Sequence, residues 1–176
     1  MTTVNQLHDI ISLIDQPNRA RCFTIWNENR QRFDVAWGSS HNHQAWPGGY
    51  LDHIRETMTI ACKLYPAMVA HRPLPFSLPD ALLVLFLHDL EKPWRVDPVT
   101  GEKNPQLVSK AQKTAFRLTL LNQYDIALTP AQANGMRYVE GENDDYTNKR
   151  RVMNELAAFC HMCDIASARI WHSQPP

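Results

Sequence analysis

Leu82-Leu83-Val84-Leu85-Phe86-Leu87-His88-Asp89-Leu90-Glu91-Lys92 is the stretch on which the reading turns. Its first six residues are apolar, so a helix built from them has no face for water and belongs at the centre of a core. Pro79 sits where a first-turn proline is tolerated and Asp80 suits a helix N-terminus, which starts the element at Asp80. It runs to about Leu90, and Pro93 ends it. This apolar helix terminates in an imidazole and a carboxylate. Burying such groups without partners costs several kcal/mol, and a bound cation is the simplest compensation. The same dipeptide at His8-Asp9 lies on an amphipathic helix, where it reads as part of a solvated face.

Working outward, the pattern is helical nearly throughout. Val4 to Ile14 has apolar residues at Leu7, Ile10, Ile11 and Ile14. A second helix is expected from Asn18 to Phe33, and another from Tyr50, with Leu51, Ile54, Met58, Ala61, Cys62 and Tyr65 forming one stripe. Between them, Gly38 to Gly49 is irregular, rich in Gly, Ser, Asn and Pro. Beyond the central helix come a polar loop from Arg95 to Pro105, helices over Ser109 to Tyr124 and Pro130 to Val139, and an acidic loop from Gly141 to Thr147. A last helix is expected from about Asn148 to Trp171. No strand alternation, internal repeat, phosphate-binding glycine loop or nucleophile elbow is present. The expected fold is all-α, a helical bundle around a buried central helix. The 176 residues form one domain, with N-terminal helices over 1–37 and a metal-site core over 38–171.

Composition narrows the partners. Lys plus Arg and Asp plus Glu each number 18, so the formal net charge is zero. A protein that lives on duplex nucleic acid usually carries a basic excess, and none is expected to bind here. No run approaches a membrane span. Of the four cysteines, Cys160 and Cys163 form a lone C-x-x-C inside a helical pattern, which suits packing better than zinc or redox chemistry. A cytoplasmic location fits, and a homo-oligomer is compatible with the pattern.

Two further ligands suggest themselves. His53 falls early in the helix after the glycine loop, and Asp164 is a lone carboxylate amid Phe159-Cys160-His161-Met162-Cys163 in the last helix. Two imidazoles and two carboxylates make a mixed nitrogen–oxygen site, suited to one divalent ion: Mn, Fe, Co, Ni or Zn, with Mg also open.

The order His53…His88-Asp89…Asp164 resembles the HD-domain superfamily of metal-dependent phosphohydrolases. Pro47-Gly48-Gly49-Tyr50-Leu51-Asp52-His53 looks like that family's helix start. Leu87-His88-Asp89-Leu90-Glu91-Lys92 looks like its central motif, and His161-Met162-Cys163-Asp164 like its late segment. The resemblance implies an all-helical bundle, a metal held by His53, His88, Asp89 and Asp164, and catalytic roles for Asp89 and Lys92. Glu91 replaces a usual small residue. No His occurs from Gly101 to Cys160, so a second ion of the kind some relatives hold would fall to Glu140, with Glu91 as an accessory. His43, Trp46, Lys92, Arg95 and Lys110 are candidate substrate contacts, with Trp46 or Tyr50 available to stack on a base. The pocket is expected between the Ser39–Tyr50 loop and the Glu91–Lys103 segment. The implied activity is hydrolysis of a phosphate ester of a small nucleotide, a (deoxy)nucleotide mono- or triphosphate. The alternatives are an exonuclease or phosphodiesterase acting on short or cyclic oligonucleotides, and an HD fold serving as a non-catalytic binding module.

Overall fold

Every residue from Ala81 to Leu90 is buried in the computed structural model, as a helix apolar on all sides requires. The structure describes residues 3–39, 43–171, 173 and 175. Ser40, His41 and Asn42, in the glycine-rich loop, lie outside the described residues. Among those described there are eight α-helices and no strand: α1 (Thr3–Ile11), α2 (Asn18–Glu28), α3 (Arg30–Val35), α4 (Gly49–His71), α5 (Leu78–Leu87), α6 (Lys110–Gln123), α7 (Pro130–Tyr138) and α8 (Glu155–Ile170). An antiparallel bridge between Val96 and Lys103 closes the loop after α5. No helix among the described residues is long and apolar enough to cross a membrane.

The central helix α5 starts at a capping box. The Ser77 hydroxyl accepts the Asp80 N–H at 3.3 Å, and the Asp80 carboxylate accepts the Ser77 N–H at 3.0 Å. α5 packs against α1, α4, α7 and α8, while α8 also lies along α4 and α7. Leu82, Leu85 and Phe86 of α5 join Ile54 and Met58 of α4 and Phe159 of α8 in one apolar cluster. The α4–α5–α8 triangle fixes the site, because the polar end of α5 emerges between the other two helices.

The first helix stops at Ile11 rather than Ile14 and the central one runs Leu78–Leu87 rather than from Asp80 to about Leu90, and two larger differences have a visible cause. The helix expected over Asn18 to Phe33 is broken at Asn29. There the amide side chain donates to the Ile25 carbonyl at 2.8 Å and to the Tyr124 hydroxyl at 2.9 Å, so a side chain replaces helical continuity. The last helix begins at Glu155 rather than near Asn148. Asn154 caps it by accepting the Ala157 N–H at 2.7 Å, and Asn134 of α7 holds the preceding chain off-axis through Val152 and Asn154.

The start of α4 depends on two glycines. Gly48, at φ +83°, turns the chain into the helix. At Gly49 the backbone passes so close to the Gln44 carbonyl that a Cβ would collide with it. Trp46 donates its indole N–H to Asp52 at 2.9 Å, fastening the turn to the first helical turn. Gly49→Ala should therefore cost about 1–3 kcal/mol of stability, read as a lower urea midpoint. It should also weaken divalent-metal uptake, because Gln44 is part of the network described below.

Candidate metal centre

Three helices each bring a residue to one point. His53 lies one turn into α4, His88 and Asp89 follow the last turn of α5, and Asp164 lies in the middle of α8. The His53 and His88 Nε2 atoms are 3.3 Å apart. Asp89 Oδ2 lies 3.6 Å from His53 Nε2 and 3.2 Å from His88 Nε2. Asp164 Oδ1 lies 3.1 Å and 3.6 Å from the same two nitrogens. Ligands at about 2.0–2.2 Å from a transition ion stand about 2.8–3.6 Å from their neighbours, across cis-octahedral and tetrahedral geometries. The five separations fall inside that range. His53, His88 and Asp89 alone form a group able to hold a metal ion, with ligand atoms within 4.8 Å of one another. Asp164 lies outside that group, but its Oδ1 contacts both imidazoles, so it is the candidate for a fourth donor.

The outer hydrogen bonds aim both nitrogens inward. His88 Nδ1 donates to the Leu85 carbonyl at 2.7 Å, one turn back along α5. His53 Nδ1 is 3.0 Å from Ser167 Oγ, whose single proton goes to Glu56 at 2.7 Å, so the hydroxyl accepts from the imidazole. Each ring carries its Nδ1 proton outward and turns Nε2 to the centre, as ligating histidines do. Helical spacing accounts for the arrangement. Asp164 and Ser167, three apart on α8, hold opposite edges of the His53 ring, while His53 and Glu56, three apart on α4, face α8 together. Gln44 completes the set, donating to Glu56 at 2.9 Å and to the Ser167 carbonyl at 3.2 Å.

The electrostatics match. Burial, reinforced by the charges of Lys92 and His88, pushes His53 down to about 4 despite a raising contact with Asp164. Burial works against a charged His88 as well, but Asp89 and Asp164 outweigh it and raise that imidazole to about 10. Asp164 resists burial through hydrogen bonds to both histidines and stays well below the usual carboxylate range, and Asp89, facing Lys92 and His88, does likewise. The two acids thus favour a positive charge on His88 over one on His53. Lys92 folds back in the 3-10 turn Lys92–Trp94 and puts Nζ 2.5 Å from Asp89 Oδ2.

A cavity of about 360 Å³ opens on the cluster, lined by His43, His88, Asp89, Glu91, Lys92, Arg95, Lys110, Lys113, Arg117, Glu140 and Asp164. His43, Lys92, Arg95 and Lys110 thus meet around the histidine–aspartate pair. His43 stacks with its ring centroid 5.0 Å from that of His53. Glu140 reaches the rim, and Glu91 is buried beside Arg117, with Nε and Oε2 3.6 Å apart. Trp46 is not among the lining residues and gives its indole N–H to Asp52, and Tyr50 is buried in the core. The sequence reading missed Lys113 and Arg117. Both lie on α6, where charged residues at helical spacing look like a solvated face, yet Arg117 is buried and donates to the His88 carbonyl at the negative end of α5. The Ser167–Glu56–Gln44 network was also missed, since only the packing of α8 on α4 turns Ser167 inward.

Removing the outer hydrogen bond to His53 should loosen the centre without unfolding the chain. Ser167→Ala is expected to weaken divalent-metal affinity roughly 10- to 100-fold, with helical content by circular dichroism unchanged. Unaltered affinity would show that His53 needs no orientation by α8.

No protein-family model matches the chain, and no curated protein or solved structure does either. The functional reading therefore rests on the geometry above and on the motif resemblance.

Proposed function

We propose that this chain is a divalent-metal-dependent phosphohydrolase of the HD type, cleaving a phosphate ester of a nucleotide. The observation that carries the reading is that the candidate metal group and an arc of cations open on the same cavity. Five cationic and four acidic side chains line it. A divalent ion adds two positive charges to that excess of one, and an anion with several charges is the ligand such a space favours. The donor set fits Mn, Fe, Co, Ni or Zn best, with Mg also open. The four thiols are free, which agrees with work in a reducing cytoplasm.

When bound, such an ion supplies a nucleophile, by acidifying a coordinated water, and polarises the phosphoryl group. The chain's own residues do the rest. Lys92, already against Asp89, neutralises charge that builds on the phosphoryl oxygens, and Arg95, Lys110 and Lys113 orient the remaining phosphate oxygens. Asp89 would help hold the ion and orient the attacking water, with Lys92 keeping its carboxylate ionised. His43 stands at the mouth, where it contacts the phosphate or the leaving group.

A second reading, phosphodiester cleavage in short oligonucleotides, has one observation in its favour. Another cavity of about 430 Å³ shares Lys110, Arg117 and Glu140 with the metal cavity, giving room for a chain beyond the scissile phosphate. Both readings are tested by incubating Mn-loaded protein with nucleoside mono- and triphosphates and, separately, with an end-labelled single strand. The first predicts phosphate or pyrophosphate release from free nucleotides, abolished by chelation and restored by Mn or Co. Stepwise shortening of the strand alone would establish the second. Asp89→Ala should remove activity by orders of magnitude with helicity intact. Lys92→Ala should lower kcat more than it lowers the thermal midpoint.

A further inference from the structure

A second space adjoins the metal cavity, and the two share Lys92 and Arg95 as a common wall. It measures about 650 Å³ and runs between the end of α3 and the loop after α5. Its surface differs in kind from the metal cavity. Val35, Trp37, Val96 and Val108 line it with 45%, 49%, 47% and 73% of their surface open to solvent, and Leu107 and Pro93 form buried floor. Exposed apolar side chains gathered beside a polar site mark a place for an apolar part of a ligand.

Trp37 is held in position. On one side of it the Ala36 carbonyl accepts the Tyr50 N–H at 3.0 Å, and on the other the Gly38 N–H donates to the Gln44 carbonyl at 3.0 Å. One turn earlier in the chain, Phe33 packs edge-on to Trp94 with ring centroids 6.1 Å apart, and to Tyr50 at 5.3 Å. The half-open indole is therefore carried on fixed backbone. Its neighbour Gln44 is part of the network that orients His53, which ties the groove to the centre. The turn that carries Lys92 to Asp89 carries Pro93, Arg95 and Val96 to the groove.

We propose that this groove binds the nucleobase of the substrate, with Trp37 as the stacking platform and Lys92 and Arg95 bridging base subsite and phosphate. The assignment rests on the phosphohydrolase reading for its occupant, and it makes Trp37, rather than Trp46 or Tyr50, the residue that selects a planar aromatic group. A ligand anchored by phosphate on the shared cations has its organic part on the apolar side of the same wall. An indole face accepts any base, so the groove selects a base over no base and discriminates weakly among bases.

The test uses equilibrium binding, which needs no turnover. Calorimetry on the Mn-loaded full chain would compare a non-hydrolysable phosphonate analogue of AMP with the corresponding ribose 5-methylphosphonate that lacks the base. Trp37→Ala is expected to weaken the AMP analogue roughly tenfold, as loss of one stacking contact does, and to leave the base-free ligand unchanged. Trp37→Phe should recover most of the loss. Equal weakening of both ligands, or no weakening of either, would overturn the proposal. So would a change in oligomeric state on Trp37→Ala, by light scattering, which would give the groove to a second copy of the chain. If wild-type protein binds the AMP analogue through Trp37 but hydrolyses no phosphate ester, the phosphohydrolase reading fails and the base subsite stands.

Discussion

Two imidazole Nε2 atoms 3.3 Å apart, both buried, repel each other unless a proton or a cation stands between them. Two carboxylate oxygens at 3.1–3.6 Å from those nitrogens sharpen the demand. Much of the fold answers to this constraint. Groups of this kind, taken out of water, cost several kcal/mol unless their charges are balanced and their remaining hydrogen bonds are made. The helices make those bonds from outside: the Leu85 carbonyl from α5, Ser167 from α8, and Glu56 from α4 through Ser167. Lys92 balances one carboxylate from the cavity side, and the space between the two Nε2 atoms is left to a proton or a cation.

The scaffold is rigid where this matters and irregular where a ligand enters. α5 cannot shift, because every side chain from Ala81 to Leu90 is buried among four neighbouring helices, so its polar end is delivered to a fixed place. Arg117 secures that end by binding the His88 carbonyl. The approaches are built from the segment between α3 and α4 and from the turn and loop between α5 and α6. Function tends to sit in such loops carried by a stiff frame. Here the cations Lys92 and Arg95 lie on the first turn beyond the buried helix, where a short tether gives them little freedom.

Some of this was legible in the residues alone. An apolar helix ending in His88-Asp89 announces a compensated charge whatever its neighbours. Asp164 stands out for the same reason, a carboxylate among small apolar residues. All-helical architecture followed from period alone. The helix break at Asn29 did not, because it depends on a hydrogen bond to Tyr124, 95 residues away. Ser167 and Glu56 were silent because polar residues at helical spacing normally face water, and only the packing of α8 on α4 turns them inward. Arg117 was hidden likewise on α6. Trp46 and Trp37 look alike in sequence. What separates them is their surroundings: Asp52 takes the N–H of the first indole, while the second lines the groove half open.

The central claim is that the cluster exchanges a proton for one metal ion. Titrating chelator-treated protein with Mn or Zn by calorimetry, in two buffers of different ionisation enthalpy near pH 7, measures stoichiometry and proton release together. The account predicts one ion per chain and about one proton released, from the His88 imidazole that stays charged up to about 10. It also predicts loss of high-affinity binding in Asp164→Ala. Absence of binding, binding with no proton released, or full affinity retained in Asp164→Ala would contradict it.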